Sequence, residues 1–187
     1  MPITKNHYYI YLENSKILDL SLIKKRGKFT VIYRANKKKE DIDKIIKFRK
    51  ECKKRGVGFF VANDLIFAVK CKADGLYLSS YNKVFYDSKK LKLIGSAHNY
   101  KEINEKVRQG CRLIFLSRLF KTDYAKKKDF YDVVRFNLLI LEKRNIISAL
   151  GGIRLKNLNK LNIVIANSFA VLSEIQKKPA KIISRLF

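Results

Sequence analysis

The sequence predicts an α/β chain folded as a compact (β/α)8 TIM-type barrel. Eight short apolar runs recur along the 187 residues, and most are separated by segments of helical periodicity. The runs are nearly continuous in apolar residues rather than alternating. Such runs are buried on both faces, as parallel strands are when crossover helices cover them.

The runs are YYIYL (8–12), FTVIY (29–33), GFFVA (58–62), DGLYL (74–78), KLIGS (92–96), RLIFL (112–116), IISA (146–149) and FAVL (169–172). Between the second and third, Ile42, Ile45, Ile46 and Phe48 recur at helical spacing and the segment closes at Gly56. Between the fifth and sixth, Asn99 is placed as an N-cap with Glu102 as its box partner, and Gly110 ends the helix. DFYDVVRFNLLILEKR fills the gap before the seventh strand, and the run that opens after that strand, RLKNLNKLNIVIANSFAVLSEI, begins as a helix. The crossover SSYNKVFYDSKKL is too short for a full helix. Barrels of this kind usually take about 200 to 250 residues, so an open sheet with fewer strands is the alternative. The length fits one domain, residues 1–187.

Composition bounds the partners. With 42 Lys and Arg against 16 Asp and Glu, the net charge of +26 suits polyanions, but the excess is mostly dispersed lysine. Tyr and Phe fall in strands and on helix faces rather than in a basic stacking platform, so nucleic acid is not the favoured partner. Cys52, Cys71 and Cys111 are odd in number and far apart, unlike a disulfide framework or a zinc site. No apolar run has the length of a signal peptide or a membrane span, and a cytoplasmic protein is expected. Homo-oligomerisation is left open.

In a barrel the chemistry sits where the strands end. Those ends carry Arg34, then Asn63 and Asp64, then Ser79, Ser80 and Asn82, then Ser96 with His98, then SRLFKTDYAKK, then Gly151 and Gly152, and last Ser173. Paired glycines before a helix bring amide groups close to a ligand and suit a phosphate, although a tight turn alone would also use them. For Asn63 and Asp64 the residues alone favour a structural reading, as the cap of the helix that follows. The serines could be turn or cap residues, and KTDYAKKKD a solvated basic loop.

Four segments, VANDLIFAVKCKADGLYL, LIGSAHNYKEI, LFKTDYAKK and ALGGIRLKN, resemble in that order the Asn-Asp, Gly-x-Ser-x-His, Phe-x-Thr and Ile-Gly-Gly-Ile segments of thiamine phosphate synthases and the related TenI-type thiazole tautomerases. The resemblance runs from about Phe29 to Ser173. It implies a transferase that joins an aminopyrimidine pyrophosphate to a thiazole phosphate, with Mg2+ at the departing pyrophosphate. By the same resemblance Asp64 would hold magnesium, with Asn82 where the family has a second acid. Asn63 and Ser96 would lie near pyrophosphate, and Arg34 matches the arginine of a Gln-x-Arg-x-Lys element. Gly151, Gly152 and Ser173 would cradle the thiazole phosphate, with Thr122 near its ring and Lys126 one residue past the expected lysine position, held by Ala125.

The departures lie on the magnesium and pyrophosphate side. Ile32 and Asn36 replace the glutamine and lysine of the arginine element, with Lys37 one residue away, and Asn82 is neutral. A tautomerase needs only the thiazole phosphate and a proton carrier, for which His98 matches the family histidine. The third expectation is a binding protein without catalysis, retaining a phosphorylated ligand or using its basic surface on nucleic acid.

Overall fold

The structure, a computed structural model, describes residues 5, 7–35, 40–86, 91–122, 129–172, 180 and 183. Eight parallel strands close into a barrel in sequence order. They are β1 (His7–Leu12), β2 (Phe29–Tyr33), β3 (Gly58–Ala62), β4 (Gly75–Leu78), β5 (Lys92–Ala97), β6 (Leu113–Ser117), β7 (Ile147–Leu150) and β8 (Ser168–Val171). Closure is made by β1 against β8, with His7 opposite Ser168 and Ile10 opposite Val171. The open-sheet alternative is thereby excluded. Each apolar run of the sequence is a strand, within one residue at either end.

Two apolar layers follow from the strand pleat, because successive side chains point to opposite faces. Tyr11, Ile32, Phe60, Tyr77, Ile94, Phe115 and Ala170 fill the barrel interior. Their aromatic rings meet edge to face, Tyr11 on Tyr77 at 5.4 Å and Tyr9 on Phe115 at 4.9 Å between centroids. The outward residues, among them Leu12, Val31, Phe59, Leu76, Ile114 and Phe169, pack beneath the helices.

Four α-helices cover strands: α1 (Ile42–Lys54), α2 (Leu65–Lys70), α3 (Tyr100–Arg108) and α4 (Asp132–Ile140). Asn99 caps α3 as the sequence predicts, accepting from Glu102 N at 2.9 Å. The return bond from Glu102 reaches one residue further back, to His98 N at 2.8 Å.

A helix follows β7 as expected, at Leu155–Ile163, and it is of the 3₁₀ type. Its apolar residues Leu155, Leu158 and Leu161 are spaced by three, and a 3₁₀ turn of three residues stacks them on one side. Leu158 and Leu161 are buried there.

Cys52, Cys71 and Cys111 are buried and unpaired, and burial pushes the Cys52 thiol up to about 12 and the Cys111 thiol to about 11. No described helix is long and apolar enough to cross a membrane.

Candidate active site

The described residues singled out in the sequence all fall at the end of the barrel where the strands finish. They form three neighbouring groups. Lys126 and Ser173 lie outside the described residues, as do Asn36, Lys37 and Ala125.

The first group joins β3 to β4. Asn63 takes a left-handed backbone, φ +58°, which asparagine adopts more readily than most residues. Its side-chain Oδ1 accepts from Ser79 N at 2.9 Å and from Asn82 Nδ2 at 3.2 Å. Its amide nitrogen donates to Ser79 Oγ at 2.7 Å and Tyr81 Oη at 3.0 Å. Asn82 Oδ1 is itself used, accepting from Val84 N at 2.9 Å. Asp64 caps α2, its Oδ1 accepting from Phe67 N at 2.8 Å. Its Oδ2 makes no hydrogen bond to a described residue.

This corner is braced from α3. Lys106, fully buried, donates to the Asn82 carbonyl at 2.7 Å and to Gln109 Oε1 at 2.9 Å. Gln109 Nε2 reaches the carbonyls of Asn82 at 3.1 Å and Val84 at 2.8 Å. Burial lowers the Lys106 pKa, since a cation out of water is disfavoured.

The second group lies at the top of the barrel interior. Ser96 is buried on β5 close to the Tyr77 hydroxyl. Burial raises the phenols of both Tyr77 and Tyr11, while the positive charge of Arg34, exposed at the end of β2, acts on both in the opposite sense.

The third group joins β5, β6 and β7. His98 Nδ1 lies 2.8 Å from Ser117 Oγ. Tyr131 donates its hydroxyl to the His98 carbonyl. Arg118 Nη1 donates to Thr122 Oγ1 at 3.2 Å. His98, Ser117, Arg118, Asp129, Tyr131 and Arg135 border a cavity of about 680 Å³.

Gly151 and Gly152 both have positive φ, +94° and +69°. A Cβ on Gly152 would stand 2.3 Å from the Phe120 carbonyl oxygen, and one on Gly151 2.9 Å from Arg118 Cγ. The pair therefore allows the loop after β6 to lie against the end of β7. Phe120 N donates to the Gly151 carbonyl at 3.1 Å, and Asn157 Nδ2 to that of Gly152 at 2.8 Å.

Sequence reasoning missed Lys106 and Tyr131, and quoted Ser117 only as the first residue of SRLFKTDYAKK, without a role. Ser117 is the last residue of β6 and one step beyond the apolar run, which is the signal that could have found it. Lys106 carried no signal, because its spacing is that of any lysine on a helix.

For a metal, the donors present are one carboxylate oxygen of Asp64 and amide groups already engaged. Among the described residues no three His, Cys, Asp or Glu side chains are grouped to hold an ion. Magnesium keeps several waters and needs only one or two protein carboxylates when it arrives with a phosphate ligand. The residues present fit an ion of that kind.

A closed eight-stranded parallel barrel with its polar groups gathered at the strand C-termini defines the class, a (β/α)8 protein with a site at the barrel mouth. Residues 2–175 match the profile of the thiamine monophosphate synthase (TMP-TENI) family, and the chain belongs to that family. It is 32% identical over 171 residues to a thiamine-phosphate synthase of Prochlorococcus marinus subsp. pastoris, covering 86% of this chain and 47% of that protein. It is 28% identical over 185 residues to a thiamine-phosphate synthase of Pelagibacter ubique, covering 90% of this chain and 87% of that one. The chain thus spans about half the length of the first relative and most of the second. A thiamine phosphate pyrophosphorylase structure from Pyrococcus furiosus has the same fold, with a TM-score of 0.75 at 16% identity over 98% of this chain and 94% of that one.

Proposed function

We propose that this protein is a thiamine phosphate synthase-like transferase, coupling an aminopyrimidine pyrophosphate to a thiazole phosphate with release of pyrophosphate. The observation that carries the reading is the gathering at one barrel mouth of Asn63, Asp64, Ser96, Thr122 and the glycine pair. Family membership and the names of the curated relatives support it.

Each residue then has a task. Asp64 would hold a magnesium ion through the carboxylate oxygen that does not cap α2, and the ion would supply charge neutralisation for the departing pyrophosphate. Arg34 adds positive charge at the mouth beside β1 and β4. Ser96 and Tyr77 form a polar floor that orients one ring. Gly151 and Gly152, with Ser173, receive the thiazole phosphate, while Thr122 is held by Arg118 near the ring. Catalysis on this account is placement and charge stabilisation rather than covalent chemistry.

A second reading has its own observation. His98 is bonded through Nδ1 to Ser117 at the edge of the cavity, an arrangement suited to moving a proton on a thiazole phosphate without pyrophosphate chemistry.

An endpoint assay tests both. Purified protein is given magnesium and the two substrates, and thiamine phosphate is scored by fluorescence after oxidation. Product supports the transferase. No product, together with His98-dependent isomerisation of a thiazole phosphate, moves the protein to the second reading. Neither product nor isomerisation, with the thiazole phosphate still bound, leaves a phosphate-ligand binding protein. A complex with nucleic acid would instead weaken steeply as salt rises.

A further inference from the structure

His98 follows β5 and Ser117 ends β6, so the barrel sets them side by side although they are 19 residues apart. Two oxygens of Ser117 approach His98 Nδ1, the hydroxyl at 2.8 Å and the main-chain carbonyl at 3.4 Å. A carbonyl oxygen only accepts. Were Nδ1 unprotonated, its lone pair would face that carbonyl; with a proton on Nδ1, both oxygens accept. A neutral ring with its proton on Nδ1 satisfies both contacts at once and leaves the lone pair on Nε2.

The rest of the residue is fixed as well. Glu102 Oε2 holds the His98 amide at 2.8 Å and Tyr131 donates to its carbonyl, so the backbone is held from α3 and from the segment before α4. Nε2 makes no hydrogen bond to a described residue. The ring borders the cavity of about 680 Å³, which Arg118 and Arg135 line with positive charge and Asp129 and Asp132 with negative.

We infer that Ser117 is a positioning residue that fixes the His98 tautomer, making Nε2 the base for a phosphorylated heteroaromatic ligand in this cavity. The inference rests on the proton-transfer reading given above. Nε2 takes a proton from a ring carbon, the electron pair stays in the ligand's conjugated system, and the same proton returns at another carbon. Isomerisation of this kind balances without a co-reactant.

The protein has two histidines, His7 and His98, which makes the ring nitrogens readable by long-range ¹H–¹⁵N NMR at mildly alkaline pH. His98→Asn assigns the signals by loss. The expected wild-type spectrum has His98 with a proton on Nδ1 and an unprotonated Nε2. Ser117→Ala removes the nearer acceptor and leaves only the carbonyl at 3.4 Å, which moves the ring toward the Nε2–H form, and Ser117→Thr, which keeps a hydroxyl, restores the wild-type pattern. A wild-type ring protonated on Nε2, or a spectrum unchanged in Ser117→Ala, overturns the inference.

Isomerisation of a thiazole phosphate is measured in the same variants. His98→Asn is expected to slow it about 100-fold or more, and Ser117→Ala to lower kcat with KM nearly constant. If the tautomer responds to Ser117 as stated while neither variant changes isomerisation, the proton-transfer reading fails and the positioning of His98 stands.

Discussion

The carbonyl oxygen of Phe120 lies only 2.3 Å from where the first side-chain atom of residue 152 would be, were that residue not glycine. The neighbour is backbone, so it cannot swing aside. Gly152→Ala adds this collision to the cost of a left-handed backbone, at about 1–2 kcal/mol for the conformation and about 1–3 kcal/mol for the overpacking. Gly27 has a similar φ, +73°, with nothing within 4 Å of its Cβ position. Gly27→Ala should therefore lose only the conformational part. Urea unfolding of the two variants separates them, and equal losses would mean that the contact with Phe120 carries no energy.

Lys106 predicts a local effect rather than a global one. Lys106→Met retains the stem that passes beneath Gly95 but removes the donor to the Asn82 carbonyl and Gln109 Oε1. Hydrogen bonds from charged donors contribute about 1.5–3 kcal/mol, offset here by relief of a buried cation. Amide exchange should accelerate in residues 79–84, where Ser79 and Asn82 are tied to Asn63, more than in β1 or β8. Uniform exchange changes across the barrel would refute the brace.

His7 sets an acid limit at the opposite end of the barrel. Burial, helped by the charge of Lys28 and opposed by a hydrogen bond with the Gly27 backbone, depresses its pKa below 6.5. The unfolded chain then binds more protons than the folded one just below pH 6.5, so stability is full above that value and declines as pH falls. The described carboxylates with lowered values, Asp19, Glu51 and Glu105, act only below 4.5. Thermal melts between about pH 7 and about pH 5.5 should show a falling Tm for the wild type and a flatter profile for His7→Gln. An identical slope in both would assign the acid sensitivity elsewhere.

The barrel was legible in the sequence because its strands are buried on both faces, which leaves unbroken apolar runs. At the start of the fourth strand a specific bond accounts for the shift. Asp74, expected in the fourth strand, instead turns its carboxylate to Phe59 N at 2.8 Å and Arg49 at 2.5 Å, and β4 begins at Gly75. The candidate site was legible as a set of strand-end residues but not as a set of bonds. Pairs such as Ser117 with His98 and Lys106 with Asn82 are made by adjacent elements distant in sequence, and no local pattern encodes them. Asp64 was the hardest position to read, because an N-cap and a metal carboxylate call for the same side chain at the same place.

That ambiguity gives the most direct measurement. Asp64→Asn keeps a side-chain oxygen to accept from Phe67 N but removes the charge, whereas Asp64→Ala removes both, at a cost of about 1 kcal/mol in helix capping. Thiamine phosphate formation and Tm are measured together for the wild type and both variants. The account predicts product from the wild type, a Tm for Asp64→Asn close to that of the wild type, and loss of product in both variants. Full activity in Asp64→Asn would show Asp64 to be a cap and nothing more, and would contradict the transferase site proposed for this barrel.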